Sequence, residues 1–146
     1  MKFFATYFFL LVLSGCSSAL NLETKILNFG DFEMTVPKNW KKINLKGIDS
    51  QVGAVKLDKN EKIFYDYGYY SNKLKDLEKD NSVEFKIIDG KKAKIIHGYY
   101  TGIYFDSIKF IKSDSMNMKL QFSTKNLSKI NQKKILTAFE TLKFKE

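Results

Sequence analysis

Met116-Asn117-Met118-Lys119-Leu120-Gln121-Phe122 and, after a short polar gap, Ser128 to Leu142 decide how this chain folds. In the first segment Met116, Met118, Leu120 and Phe122 alternate with Asn117, Lys119 and Gln121. That period of two marks a strand with one buried face. In the second, Ile135, Ala138, Phe139 and Leu142 fall at i, i+3, i+4 and i+7, one apolar stripe on a helix. Ile130 and Leu136 widen the stripe, and Lys129, Lys133 and Lys134 lie mainly on the wet side. Ser128 is placed to cap the first turn, its hydroxyl taking up a free backbone N–H. A helix with one apolar stripe must bury it, and the strands before it supply the surface.

Upstream, strand patterns run through most of the chain. Phe32, Met34 and Val36 alternate with Glu33 and Thr35. Pro37 ends that strand because it cannot donate to a ladder, and Pro37-Lys38-Asn39 turns the chain into Trp40. Val55 and Leu57 flank Lys56 in a second strand. Asp58-Lys59-Asn60 is a turn, and Lys62 to Tyr67 returns as a third strand. Asn72 to Asn81 is polar, with Leu74 and Leu77 fitting a short helix or a long loop. Val83, Phe85 and Ile87 alternate with Glu84 and Lys86. Asp89-Gly90 follows, and Ala93, Ile95 and His97 resume the alternation. Both turn residues tolerate positive φ, so this reads as a hairpin. Ile103 to Ile111 is apolar on both faces, as a central strand is, and Ser113-Asp114-Ser115 turns the chain. Lys143 to Lys145 is open between a terminal strand and a frayed end. The expected fold is α+β: an antiparallel sheet of about six strands with the C-terminal helix packed on one face.

The first residues carry a different kind of information. Lys2 precedes the apolar run Phe3 to Leu13, and Leu13-Ser14-Gly15-Cys16 ends it. This is the layout of an export signal closing on a lipobox, and the run is too short to span a bilayer of about 30 Å. The expected division is a signal peptide over 1–15, lipidated Cys16 with a tether over 16–24, and one domain over 25–146. Cys16 is the only cysteine, so no internal disulfide forms, and lipidation accounts for the odd thiol. The expected location is a bacterial cell envelope, with the chain held at the outer membrane. Ser17 lacks the aspartate that marks inner-membrane retention in some enteric bacteria.

The net charge is +9, and every basic residue is lysine. Without arginine, bidentate phosphate recognition has no fork to supply it, and an exported chain meets little nucleic acid. Nucleic acid is therefore not an expected partner. The lysines of the last helix are candidates to lie against anionic headgroups.

No catalytic motif stands out. His97 is the only histidine, so any Ser-His-Asp arrangement must use it. Asp66, on an otherwise apolar strand, is the carboxylate that a hydrolase would pair with it. Asp49 and Ser50 sit in a loop without the Gly-x-Ser-x-Gly setting of a nucleophile elbow. Gly98 and Gly102 are isolated and make no phosphate loop. No transition-metal spacing is present, and no cofactor is expected. The surface signal is tyrosine. Tyr65, Tyr67, Tyr69 and Tyr70 surround Asp66 and Gly68, and Gly98-Tyr99-Tyr100-Thr101 echoes Gly68-Tyr69-Tyr70-Ser71. If these strand ends met, Tyr69 and Tyr99 would line one groove for a sugar, a peptide or a protein.

Three segments carry a resemblance. Met34-Thr35-Val36-Pro37-Lys38-Asn39-Trp40, Gly47-Ile48-Asp49-Ser50-Gln51-Val52-Gly53 and Tyr65-Asp66-Tyr67-Gly68-Tyr69-Tyr70-Ser71-Asn72 stand in this order. Together they resemble a family of uncharacterised lipoproteins from Bacteroidetes bacteria. Its pattern is a strand with Pro-x-x-Trp, a Gly-Ile-Asp-Ser segment and an Asp-x-Gly-x-Tyr-Ser segment. The overall layout is similar to the PsbP-like fold, an α/β/α sandwich that hosts accessory and binding proteins. The resemblance implies a non-enzymatic binding or accessory module, with another envelope protein as partner and an open oligomeric state. Two alternatives stand beside it: a carrier of a small apolar or glycan ligand between sheet and helix, and a hydrolase using Asp66 and His97.

Overall fold

The computed structural model describes residues 23–72, 74–110 and 113–145. Cys16 and the signal lie outside them. The described strands are β1 (Thr24–Asn28), β2 (Phe32–Pro37), β3 (Lys41–Asn44), β4 (Gln51–Lys56), β5 (Lys62–Gly68), β6 (Asn81–Ile88), β7 (Lys91–Gly98), β8 (Tyr100–Phe110), β9 (Ser113–Lys125) and β10 (Lys143–Phe144). Helix α1 spans Lys129–Phe139. The α+β class holds, but ten strands in two sheets replace a single sheet of about six. One sheet has the order β1-β2-β10, the other β3-β4-β5-β9-β8-β7-β6, and every pair is antiparallel.

The small sheet and α1 cover the same face of the large one, here called its inner face. Phe32, Met34 and Val36 of β2 are buried, as their alternation requires. Phe32 meets Tyr65 and Tyr67 of β5 and Phe122 of β9, and Met34 and Val36 belong to the same core. Phe29 stacks on Phe32 at 4.7 Å and meets Tyr65 and Phe122 edge-on. Helix α1 brings Phe139 to 5.8 Å from Phe122, with Ile135, Ala138 and Leu142 buried beside it. Ile130, assigned to the same stripe, is instead exposed, because it lies in the first turn at the edge of the packed surface.

Local chemistry explains the boundaries. Asp89 and Gly90 both take positive φ, as the tight β6–β7 turn demands. Gly30, at φ 98°, closes the β1–β2 turn and donates its N–H to Asn28 Oδ1 at 2.8 Å. Ser128 caps α1, its hydroxyl accepting from the Asn131 N–H. Glu61 reinforces the cap, accepting from Ser128 Oγ at 3.1 Å and Asn131 Nδ2 at 2.7 Å. Lys143 and Phe144 resolve the open C-terminal question by pairing with Glu33 and Phe32. Ser113 is not a turn residue: it already pairs with Phe110 in the β8–β9 ladder. Strand β1 starts at Thr24, the last residue given to the tether.

Candidate interaction surface

The alternation of each strand sorts side chains between the inner face and the outer face of the large sheet. Tyr65 and Tyr67 point inward and are buried in the aromatic core, so neither belongs to an exposed tyrosine platform. Burial pushes the Tyr67 phenol up to about 12, with Asp31 and Tyr69 adding to the effect. Tyr69 is half-buried, while Tyr70 and Tyr99 are exposed. Tyr99 packs edge-on against Tyr100 at 5.1 Å.

The two tyrosine runs do not meet. Phe64 pairs with Ser123 and Ser123 with Gly102, so the register sets Tyr100 level with the start of β5. Tyr69 follows the other end of β5. Seven residues at about 3.3 Å each put the two runs roughly 20 Å apart along the sheet. No single groove contains Tyr69 and Tyr99.

Asp66 and His97 are also separated. Asp66 lies on the outer face, paired with Val52 and Gln121. His97 pairs with Ser82 three strands away and alternates to the inner face. Ser50 lies close to Asp66 instead: a Cβ built on Gly68 would meet Ser50 Cβ at 2.5 Å and Asp66 Oδ1 at 3.7 Å. An aspartate and a serine without a histidine make no triad. Asp66 Oδ1 and Gln121 Oε1 are both buried without a hydrogen-bond partner. They belong to directly opposite residues of β5 and β9.

The segment 74–80 covers only the middle of the outer face. It lays Leu74 over Ile96 and Tyr104 in a second small core. Glu78 holds it to Lys94 at 2.5 Å, and Asn81 bonds both the Tyr100 N–H and the Leu77 carbonyl. The Tyr104 phenol donates to Asp106 at 2.7 Å, and burial, with that bond, holds its proton firmly.

Two parts of the outer face stay open among the described residues. On one side Phe64 is 51% exposed. On the other, β6 ends the sheet with a row of apolar side chains in solvent: Val83 at 40%, Phe85 at 60% and Ile87 at 71%. Lys92 lies over the Phe85 ring at 5.0 Å. Glu84 and Lys86 point to the opposite face, where Lys86 bonds Glu140 at 2.6 Å. The alternation of β6 was legible in the sequence; its direction was not, because the apolar row faces water. The outer edge of an end strand also offers unpaired backbone donors and acceptors.

A shallow cleft of about 400 Å³ lies at the β7–β8 end, between Gly90, Lys91, Lys92, Phe105, Asp106 and Ser107. At the interface between sheet and helix, the place the carrier alternative gives its ligand, Phe122, Ile135, Ala138 and Phe139 belong to the core. Among the described residues no three of His, Cys, Asp and Glu come together to hold a metal ion. No described helix is long and apolar enough to cross a membrane. The helix lysines divide: Lys134 is engaged by Asp58 at 2.5 Å, while Lys129 and Lys133 remain exposed. The chain matches no family model, no curated protein and no solved structure.

Proposed function

We propose that this protein is a lipid-anchored module of a bacterial cell envelope, held at the outer membrane through Cys16. It acts without catalysis, as a binding or accessory subunit of another envelope protein. The lipobox at Leu13 to Cys16 and the resemblance to Bacteroidetes lipoproteins support the anchor. The PsbP-like layout, with its accessory proteins, supports the role. The observation that carries the reading is the β6 edge. An exposed apolar row on a strand with a free edge favours an extended segment of a partner that adds a strand and covers Phe85.

A photo-reactive residue in place of Phe85, in the full chain in cells, tests this. The expected result is one discrete adduct with an envelope protein, absent when the same residue replaces Tyr70. Cys16→Ser should abolish both membrane retention and the adduct. Equal adducts at both positions, or an adduct with a second copy of the chain, would overturn the partner reading. Unchanged retention of Cys16→Ser would overturn the anchor.

A further inference from the structure

The register of the large sheet lines up lysines in a way the sequence does not display. Lys41 stands directly opposite Lys56, and Lys56 directly opposite Lys62. Phe64 pairs with Ser123, so the β5–β9 ladder continued by two residues brings Lys125 beside Lys62. Four neighbouring strands thus present four lysines in one row across the outer face. All four are exposed. Like charges directly opposite on paired strands repel, so packing gives no reason for this row.

Nothing nearby neutralises it among the described residues. Asp58 accepts from Lys134 and Asn39, and Glu61 is spent on the cap of α1. Glu23 pairs with Lys38.

The row lies at one end of the fold, and the chain enters at the same end. Thr24 pairs with Pro37, and the turn from Pro37 to Trp40 leads straight into Lys41. Residues 17–23 separate Cys16 from β1. Cys16 to Thr24 is eight steps, and fully extended at about 3.3–3.6 Å each they reach no more than about 29 Å. An anchor at Cys16 therefore keeps this end of the sheet beside the lipid.

We propose that Lys41, Lys56, Lys62 and Lys125 seat the domain on the phosphate headgroups of an anionic membrane surface. The inference rests on the lipid-anchored reading above. A soluble polyanion would also be attracted by four lysines. The short tether favours the membrane, since it delivers the row to that surface. Lysine suits such a surface because it binds phosphate as a point charge and needs no fixed orientation of a mobile headgroup.

The test uses the full chain, processed in cells and reconstituted into vesicles of phosphatidylcholine alone or with added phosphatidylglycerol. Amine acetylation is followed residue by residue. On the anionic vesicles the four lysines should label at least about fivefold more slowly, and salt should abolish the difference. Lys91 and Lys92, at the opposite end, should label equally on both. Lys56→Gln with Lys62→Gln should remove the protection of Lys41 and Lys125. Equal labelling of the row on both lipids, with the chain anchored, would overturn the proposal. So would protection by soluble polyphosphate with none on the anionic vesicles. Failure to float with either vesicle would instead refute the anchor.

Discussion

Phe122 and Phe64 sit on adjacent strands of the large sheet, one pairing with Tyr65 and the other with Ser123. They face opposite ways. Phe122 is fully buried against Phe29, Phe32, Tyr65 and Phe139, while half of Phe64 is in solvent. Replacing a buried Phe by Ala costs about 3–5 kcal/mol. An unfolding entropy of about 2.1 cal/mol/K per residue over roughly 120 residues is about 0.25 kcal/mol/K. Phe122→Ala should therefore lower Tm by about 16 °C, taking about 4 kcal/mol. Phe64→Ala gives up half of a ring of about 200 Å² at about 25 cal/mol/Å². Alanine keeps part of that burial, which leaves about 1–2 kcal/mol and a Tm lower by about 4–8 °C. Thermal unfolding by circular dichroism compares the two, with Phe122→Leu and Phe64→Leu as the pair to use if Phe122→Ala does not fold. Equal losses, or a larger loss at Phe64, would show that the faces are assigned the wrong way round. The open surface described at Phe64 would go with them.

Gly53→Ala should be among the worst single additions to the sheet. Its Cβ would lie 2.5 Å from the Tyr65 ring and 2.6 Å from the Ile43 carbonyl oxygen, and overpacking of this kind costs about 1–3 kcal/mol. A urea midpoint unchanged from the parent chain would contradict that close approach. Tyr67 makes an alkaline prediction. The unfolded chain releases its phenolic proton above pH 10, while the folded chain keeps it to about 12. The unfolded state then binds fewer protons, so stability falls as pH rises through this window. Tyr67→Phe should shallow the fall in Tm between pH 10 and pH 12, and an identical slope would refute the burial argument.

Sequence periodicity was most informative where one face of a strand is buried and the other wet. Phe32-Met34-Val36 and Leu120-Phe122 are such cases, and so is the helix stripe of Ile135, Ala138 and Phe139; Leu142, read as its last member, is buried but lies beyond the helix end at Phe139. It was silent for β1 and β3. Both are end strands, and Thr24-Lys25-Ile26-Leu27-Asn28 and Lys41-Lys42-Ile43-Asn44 are mostly polar. Their places come from backbone pairing and leave little hydrophobic pattern. In β6 the pattern was plain, but nothing local says which face of an end strand is covered. The tyrosine groove failed for a related reason. Ile63, Tyr65 and Tyr67 share a period of two and go inward together, and only the long-range register shows that Tyr69 and Tyr99 lie at opposite ends. The lysine row is likewise a property of register: its members come from four strands, and no two of them are neighbours in sequence.

Strand β2 lies between β1 and β10, so one of the first segments of the chain is completed by one of the last. Thr141 bonds the Thr35 backbone, and Lys143 pairs with Glu33, across more than a hundred intervening residues. Pairings this distant form slowly, because loop closure comes before any contact rewards it. A chain that emerges N-terminus first, from a ribosome or through a translocation pore, cannot close this sheet until α1 and β10 have come out. Until then Phe32 and Met34 have no finished layer to sit in. Late closure of this kind would keep the polypeptide threadable for as long as it is still in transit.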